Sequence, residues 1–466
     1  MRTTASNWRF QSIATGSALL ICASVNAFAG FVANDLVVSR IQYDGNTFGN
    51  TGTYPTIFSD PAVSGVQGSV HLDQFSIVPG SPLANSLALT GITSSFSSKS
   101  EGAVMRSVDG HVLSYTGYIA PVGAGSVSNS YTTGANIPGN TAALFDRGVA
   151  LINADGAMSA TPQTNSYSGD NPRAAVSING GQFFTVGNSD STQPAGNTIG
   201  ARYGTPGSNV STQLGFFTAP SIPNQKPSNL VKDNNWRGIG IYNGNLYVSK
   251  GSGGNGINGI FQVGSGLSGN PGQDITELPG FPTTPAASTT YFPFGFFFAN
   301  PNTLYVADEG PGSLAADPIA GLEKWVLTGG MWQLAYTVQN GLNLDGAQTL
   351  AGYPVPTYTT GLRNLAGQVN PDGTVSIYAI TAQYSSISGG EPDPTQLVAV
   401  SDPIAATSLS SSEAFTLLQT SPAGSVYRGV SLAPTPAPEP STLLLFCGGV
   451  AALAFFRRKA TGRCAC

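Results

Sequence analysis

The 466-residue chain is predicted to be an all-β protein, and more specifically a β-propeller. Two observations lead to this prediction. Between residues 30 and 434, apolar residues alternate in short runs bounded by Gly, Asn, Asp or Pro, and helical periodicity is almost absent. A hairpin-like unit also recurs along this segment, which is typical of proteins built from repeated sheets.

The clearest copy of the repeated unit reads as a strand at residues 236–241, a turn at Tyr242-Asn243-Gly244, and a second strand at residues 245–249. The Asn-Gly pair supplies the positive φ angles that a two-residue hairpin turn requires. Related copies lie at residues 102–115, 173–186, 294–308 and 363–379, and a first strand alone lies at 427–432. Residues 302–310 also resemble the core of an NHL-type propeller repeat, which implies the architecture and no shared activity.

The final copy lacks a second strand, and residues 35–40 have the pattern to supply it. A blade built from both chain ends is a common way to close a propeller ring. The sequence therefore predicts six blades, or seven if a divergent blade lies within residues 130–165. A β-sandwich or a β-solenoid is the alternative, and irregularly spaced hairpins fit either of them less well.

The N-terminus has the features of a secretory signal peptide. Arg2 and Arg9 precede a mostly apolar stretch at residues 13–25, and Ala27-Phe28-Ala29 offers small residues for signal peptidase. We expect residues 1–29 to be removed by cleavage before Gly30. A lipoprotein signal at Cys22 is the alternative, but Ile21 stands where that signal requires a small residue.

The C-terminus combines Pro438-Glu439-Pro440, an apolar run at residues 443–456, and the basic cluster Arg457-Arg458-Lys459. These features, in this order, resemble the PEP-CTERM sorting signal of Gram-negative bacteria. The resemblance implies processing by an exosortase, a membrane-embedded enzyme of species that make extracellular polysaccharide. Residues 435–466 would then be a Pro-rich linker, a transmembrane helix and a cytoplasmic tail.

The apolar run is shorter than the roughly 20 residues that usually span a bilayer, so it would need a thinned membrane or flanking residues. The basic cluster after it predicts a cytoplasmic tail and an exported domain at residues 30–434. A buried core helix is the alternative interpretation of the run. We expect the chain to be anchored transiently and then to reach the cell surface or extracellular matrix.

Composition excludes several classes of function. Only 9% of the residues are charged, against about 25% in typical globular proteins. Residues 30–434 contain 13 Lys and Arg against 23 Asp and Glu, and this acidic balance argues against a nucleic-acid partner. No cysteine lies in that segment, which excludes disulfides, cysteine-zinc sites and a thiol nucleophile there.

Arginine recurs at the start of the repeated unit, and this recurrence provides the candidate ligand-binding residues. If the first strand of each blade is innermost, these side chains would surround one opening of the central channel. Guanidinium groups there could bind anionic sugar substituents through bidentate hydrogen bonds. A purely structural role, linking each blade to its neighbour, is the alternative that we favour. The residues are Arg173, Arg237, Arg363 and Arg428.

The sequence contains no recognisable catalytic motif, and we assign no catalytic residue. His71 and His111 are the only histidines, and neither lies in a catalytic pattern. Acidic residues near strand ends could bind Ca²⁺, but they lack the spacing of a calcium loop, so we predict no cofactor and assign no metal ligand. Trp236, Trp325 and Trp332 could stack on sugars, although propeller aromatics usually pack between blades. The acidic residues are Asp308, Glu309, Asp317 and Asp345.

The leading hypothesis is an exported, non-catalytic surface or matrix protein that binds polysaccharide or envelope components. The alternative is a secreted propeller enzyme, such as a lactonase, glycosidase or lyase, with carboxylates or Ca²⁺ in its channel. A third hypothesis is an adhesin or an assembly factor for polymer export.

Overall fold

The computed structural model describes most of residues 30–434. Its described residues are 30–43, 66–135, 142–188, 200–215, 217, 235–251, 257–282, 291–313, 317–353, 355–385 and 393–437. The predicted signal peptide, including Ala27 and Ala29, lies outside these ranges, as do Pro438-Glu439-Pro440, the apolar run and Arg457-Arg458-Lys459.

Strands make up nearly all of the regular structure in the described residues, together with two 3-10 turns at Val127–Asn129 and Thr133–Ala135. The strands, in chain order, are β1 (Leu36–Gln42), β2 (Gln67–Phe75), β3 (Asn85–Ser95), β4 (Val104–Arg106), β5 (Val112–Tyr118), β6 (Arg147–Asn153), β7 (Met158–Gln163), β8 (Pro172–Ser177), β9 (Phe183–Gly187), β10 (Ala201–Gly204), β11 (Thr212–Gly215), β12 (Trp236–Tyr242), β13 (Asn245–Lys250), β14 (Gly259–Val263), β15 (Ile275–Glu277), β16 (Pro293–Asn300), β17 (Thr303–Asp308), β18 (Gly321–Thr328), β19 (Met331–Val338), β20 (Ala347–Gln348), β21 (Thr357–Val369), β22 (Thr374–Ser385), β23 (Gln396–Pro403), β24 (Thr416–Thr420) and β25 (Ser425–Leu432).

The strands form antiparallel sheets in which sequence neighbours pair. Three sheets have four strands each, β8 to β11, β12 to β15 and β16 to β19, and a fourth sheet runs from β20 to β24. The remaining strands form one sheet in the order β25-β1-β2-β3-β5-β6-β7, with β4 added to β5. Its two halves are joined by one strand pair, between Thr93 of β3 and Tyr118 of β5.

The first blade is built from both ends of the domain, as the sequence predicts. Strand β25 pairs with β1 in antiparallel register, with Leu36 opposite Leu432 and Gln42 opposite Ser425. This pairing joins residues almost 400 positions apart in the chain. The C-terminal strand therefore lies innermost in the blade that also contains the N-terminal strand.

The sheets are arranged like propeller blades around a common axis. The innermost strands contact one another in a closed ring. In order around the axis they are β4, β8, β12, β16, β21 and β25, and β25 in turn contacts β4. These strands enclose the central channel. The all-β fold and the propeller-like arrangement of blades predicted from the sequence are confirmed.

The apolar core lies between neighbouring blades, because alternate residues of a strand point to opposite sides of its sheet. Strand β17 illustrates this division. Leu304 and Val306 pack in a cluster with residues of β14 and β16, whereas Tyr305 and Ala307 pack in a separate cluster with residues of β21 and β22. Each blade is therefore held by apolar surfaces on both of its faces.

Serine hydroxyls link the innermost strands of neighbouring blades at two places. Ser249 of β13 accepts a hydrogen bond from the backbone N–H of Gly238 and donates one to the carbonyl oxygen of Phe294. Ser39 of β1 likewise accepts a hydrogen bond from the backbone N–H of Gly429 at 2.8 Å and donates one to the carbonyl oxygen of Gly102 at 2.5 Å. The repeated Arg-Gly dipeptide is therefore part of the contact between blades.

A buried ion pair links the blades that contain β18 and β23. Lys324 Nζ lies 2.7 Å from Asp402 Oδ2, and both side chains are fully buried. The hydroxyls of Tyr305 and Tyr336 also donate hydrogen bonds to the Asp402 carboxylate. Such satisfied polar contacts are needed because a buried charge without partners is strongly destabilising.

We predict that Gly429→Ala destabilises the domain by about 1–3 kcal/mol, because the blades leave no room for a side chain there. A Cβ atom at Gly429 would lie 2.5 Å from the backbone nitrogen of Val104 and 2.6 Å from the carbonyl oxygen of Gly102. Urea denaturation measures the effect. The control is Gly181→Ala in an open turn, whose Cβ would meet only the side chain of Asn179. Equal stability of the two variants would contradict the prediction.

Candidate binding site

The central channel has two chemically different ends. Strands β8, β12, β21 and β25 each carry an arginine, and we call the end of the channel where these arginines lie the polar mouth. Residues that follow each arginine by two or three positions, with residues of β4 and β16, line a cavity of about 360 Å³ at the opposite end. We call this end the apolar mouth, because Ile241, Phe296, Leu365 and Val430 are among its lining residues.

The four repeated arginines are brought together at the polar mouth, and two of them bind the backbone of a neighbouring segment. Arg173 Nη1 donates to the carbonyl oxygen of Trp236 at 2.9 Å and to the side chain of Asn235. Arg428 Nη2 donates to the carbonyl oxygen of Phe96 at 2.9 Å. These contacts have the structural character that we favoured from the sequence.

Burial and mutual repulsion lower the pKa values of Arg173 and Arg428. Burial lowers the pKa of Arg173 to about 9, and the positive charge of Arg237 acts in the same direction. Burial likewise lowers the pKa of Arg428 to about 9, with a further contribution from Arg363. Both guanidinium groups remain positively charged at neutral pH, so the mouth concentrates cations that repel one another.

Glu309 is the acidic partner of the other two arginines. Its Oε2 lies 3.0 Å from Arg363 Nε, and its Oε1 lies 3.7 Å from Arg237 Nη2. Burial raises the pKa of Glu309, but Arg237, Arg363 and Lys99 together outweigh burial and hold the pKa below its usual value. The side chain of Glu309 is 14% exposed and that of Arg237 is 13% exposed, so solvent reaches this part of the mouth.

Lys99 adds a fifth positive charge to the polar mouth. It lies in the connection before β4, within electrostatic reach of Arg363, Glu309, Asp393 and Arg428. Burial lowers the pKa of Lys99 to about 8, with Arg363 as the next contribution. The lysine is half-buried rather than enclosed. It therefore changes charge just above neutral pH, at a position that solvent can reach.

Glu101 is the second carboxyl group near the arginines, but it is enclosed. It accepts hydrogen bonds from the hydroxyl of Tyr118 at 2.6 Å, from the backbone N–H of Ser95 at 2.9 Å, and from the side chain of Asn171. Burial raises the pKa of Glu101, and these hydrogen bonds and Arg428 only partly oppose that effect. Its side chain is fully buried, so it supports the mouth and does not line it.

The remaining acidic candidates do not join Glu309 in one site. Asp308 is buried and accepts hydrogen bonds from the backbone N–H groups of Phe292 and Gly310. Asp317 accepts one from Ile319, and Asp345 is exposed in a turn. Within the described ranges, no three His, Cys, Asp or Glu side chains are grouped so that they could hold a metal ion.

The histidines and tryptophans lie away from the polar mouth or inside the core. His71 on β2 is near Ser69, with its Nε2 3.3 Å from that hydroxyl. His111 lies at the apolar mouth, with its Nδ1 2.9 Å from the carbonyl oxygen of Thr435. The three candidate tryptophans pack between blades and offer no open ring face for a sugar. They are Trp236, Trp325 and Trp332.

Sequence reasoning missed Lys99 and Glu101, and it considered Glu309 only as a calcium ligand. The repeat contains no signal for Glu101, because Gly429 packs on the carbonyl oxygen of Gly102 as Gly295 packs on that of Arg363, so that Gly102 and not Glu101 has the arginine position. Lys99 precedes the repeated unit and has no equivalent in the other copies, so no pattern in the sequence identifies it.

Residues 436–459 match the PEP-CTERM protein-sorting motif. The chain therefore carries a signal for export and sorting in the cell envelope, and this signal implies processing by an exosortase-type enzyme. Across the described residues, the structure contains no helix that is both long and apolar enough to cross a membrane. The apolar run at 443–456 lies outside those residues.

Several solved structures are distantly similar to this chain. They include the periplasmic gluconolactonase PpgL of Pseudomonas aeruginosa, with 11% identity, a TM-score of 0.35, and coverage of 86% of this chain and 97% of that one. A GH74 enzyme of Niastella koreensis gives 13% identity, a TM-score of 0.34, and coverage of 75% and 43%. A quinonprotein alcohol dehydrogenase-like protein of Bacteroides thetaiotaomicron gives 13% identity and a TM-score of 0.32, with coverage of 79% of this chain and 86% of that one.

These TM-scores are too low to extend any of the three activities to this chain. No curated protein is detectably similar to it in sequence. The function must therefore be argued from the sorting motif and from the residues of the two mouths.

We predict that Glu309→Gln destabilises the domain by about 1.5–3 kcal/mol at neutral pH, because Arg237 and Arg363 lose a charged partner. The pKa of Glu309 is lowered in the folded protein, so its contribution is present above its unfolded pKa and is lost as the pH falls through its folded pKa. The difference between wild type and variant in urea denaturation should therefore shrink on acidification. A difference that stays constant with pH would contradict the ionic role.

Proposed function

We propose that this chain is an exported, non-catalytic cell-surface or matrix protein whose polar mouth binds an anionic polysaccharide. The observation that carries the proposal is the grouping of Arg237, Arg363 and Lys99 around the partly exposed carboxylate of Glu309, with Arg173 and Arg428 buried in the same mouth, in a chain that bears an envelope-sorting motif. An N-terminal signal peptide at residues 1–29 and a transmembrane helix in residues 435–466 belong to the same proposal.

We further infer six blades. The sheet that contains β1 to β7 and β25 divides naturally at the single pair between Thr93 and Tyr118, into a β25-β1-β2-β3 blade and a β4-β5-β6-β7 blade. Strands β6 and β7 then belong to the second blade, which removes the reason for a seventh blade within residues 130–165. Together with the four other sheets, this division gives six units around the channel.

The ligand class follows from the charge at the polar mouth. Five cations, Arg173, Arg237, Arg363, Arg428 and Lys99, face four acidic groups, the half-buried Glu309 and Asp170 and the buried Glu101 and Asp393. A further carboxylate, supplied by a uronic acid or another acidic sugar substituent, would relieve the repulsion among these cations. Charge-assisted hydrogen bonds to guanidinium and ammonium groups are about twice as strong as neutral ones.

The geometry favours binding over catalysis. Glu101 and Glu309 have pKa values shifted in opposite directions, as the acid and base of a glycosidase often do. However, Glu101 is fully buried and its carboxylate is occupied by Tyr118, Asn171 and Ser95. A general acid must come within hydrogen-bond distance of the substrate, and Glu101 cannot do so without rearrangement.

The binding proposal predicts a specific pH dependence. A short oligogalacturonate should bind the purified full-length chain in detergent about tenfold more weakly at about pH 9 than at about pH 7, because Lys99, with its pKa of about 8, loses its charge. Lys99→Met should bind weakly at about pH 7 and should show a smaller further loss at about pH 9, where Arg173 and Arg428, with pKa values of about 9, lose part of their charge. Isothermal titration calorimetry measures both quantities.

The control for this experiment is Arg106→Gln, which removes a positive charge from the apolar mouth and should leave the affinity unchanged. A carboxyl-reduced, neutral form of the same oligosaccharide should bind much more weakly. Equal affinity for the acidic and neutral sugars, or normal binding by Lys99→Met, would refute an anionic ligand at this mouth.

The sorting proposal predicts that replacing Pro438-Glu439-Pro440 with three alanines keeps the chain unprocessed in the cytoplasmic membrane. Wild-type protein should instead be found at the cell surface or in the matrix as a shorter species. Cell fractionation with immunoblotting distinguishes these outcomes. Identical size and distribution of the two proteins would show that the tripeptide does not direct sorting.

A further inference from the structure

We propose that the face of the propeller around the apolar mouth lies against the lipid bilayer while the chain is anchored by its sorting segment. This inference rests on the proposed membrane anchoring and adds which surface the membrane contacts. The partner is the outer surface of the cytoplasmic membrane, contacted by apolar side chains that surround the mouth. The polar mouth consequently faces away from the membrane.

The direction of β25 determines where the sorting segment leaves the domain. This strand starts near Arg428 at the polar mouth, and Val430 to Leu432 line the apolar mouth. The chain then continues along the turn between β4 and β5. The backbone N–H of Thr435 donates to the carbonyl oxygen of Gly110 at 2.9 Å, and His111 Nδ1 lies 2.9 Å from the Thr435 carbonyl oxygen.

The length of the linker then limits the distance between this face and the membrane. Seven residues separate Thr435, which is bound to the domain, from Leu443, which starts the apolar run. Even fully extended, that segment spans at most about 28 Å. The lipid headgroups occupy about 5–8 Å of this distance on one side of the bilayer. The domain therefore cannot move far from the membrane surface or turn its other face towards it.

The same end of the propeller exposes large apolar side chains. In an antiparallel blade, the connection between the first and second strands lies at the end where the first strand finishes, which here is the apolar mouth. We call the exposed apolar residues of these connections, and of the segment before β1, the apolar rim. They are Val32, Val108 and Val369, with 47–60% of each residue exposed.

Among the residues that the structure describes, the rim has no basic cluster that would direct it to an anionic lipid. Arg106 lies beside Asp109 in the turn between β4 and β5, and the other turns at this end include Asp155 and Asp372. We therefore expect hydrophobic contact with the interfacial region of the bilayer to contribute more than charge. Apolar side chains around a short tether are suited to this contact.

The inference can be tested by photo-crosslinking in living cells. The photoreactive residue p-benzoylphenylalanine is placed at Val108 or Val369, in the full chain with Pro438-Glu439-Pro440 replaced by alanines so that it stays anchored. Matched control positions are Ser126 and Ala423, which are exposed in connections at the polar mouth. Mass spectrometry of the purified chain after irradiation identifies lipid adducts. We expect several-fold more lipid adduct from the rim positions than from the controls.

Equal yields at the two ends, or the absence of lipid adducts from the rim in a chain that fractionates with the membrane, would overturn the inference and leave the sorting proposal intact. Rim adducts to another protein, or to a second copy of this chain, would also overturn it by assigning the face a different partner. A chain absent from the membrane fraction would overturn both proposals. Fractionation of the same cells therefore separates the two kinds of failure.

Discussion

The close approach of the innermost strands is the constraint on which the rest of the structure depends. Gly238, Gly295 and Gly429 stand where a Cβ atom would lie less than 3 Å from the backbone of the next blade. The hydroxyls of Ser249 and Ser39 lie beside these glycines and form hydrogen bonds with the backbones of neighbouring blades. Because strands packed this closely leave only a narrow axis, ligands and partners are expected at its two ends.

The same repeated position that packs the blades also creates the polar mouth. The residue before the tightly packed glycine is Arg237 in one blade and Arg428 in another, and Arg363 has the same position in the blade of β21. Their common position brings these side chains to one end of the channel, where Glu309 and Glu101 balance part of the positive charge. A structural role for the arginines is therefore compatible with a remaining positive field that attracts anions.

The direction of the closing strand connects the fold to cellular sorting. Since β25 is innermost and ends at the apolar mouth, the segment after Thr435 must leave the domain there. A β-propeller closed with an N-terminal innermost strand would release its C-terminus from an outer edge instead. If the chain is anchored as proposed, the observed closure gives the domain a membrane-side end and an outward end, with the cationic residues at the outward one.

The sequence predicted the hairpins and the closure well, because strand alternation and Asn-Gly turns are local signals. The predicted hairpin at residues 236–249 corresponds to β12 and β13, and the expected partner of the last strand is β1. The pairing of Glu309 with Arg363 spans two blades, so local periodicity contains no information about it. Burial of Trp325 and Trp332 likewise depends on packing between blades.

The most direct test of the account is a crystal structure of the chain with a bound oligogalacturonate. The account predicts a sugar carboxylate within hydrogen-bond distance of Lys99 or Arg237, at the polar mouth. A ligand bound in the cavity of the apolar mouth, or on the outer edge of a blade, would contradict the assignment of the cationic end as the binding site.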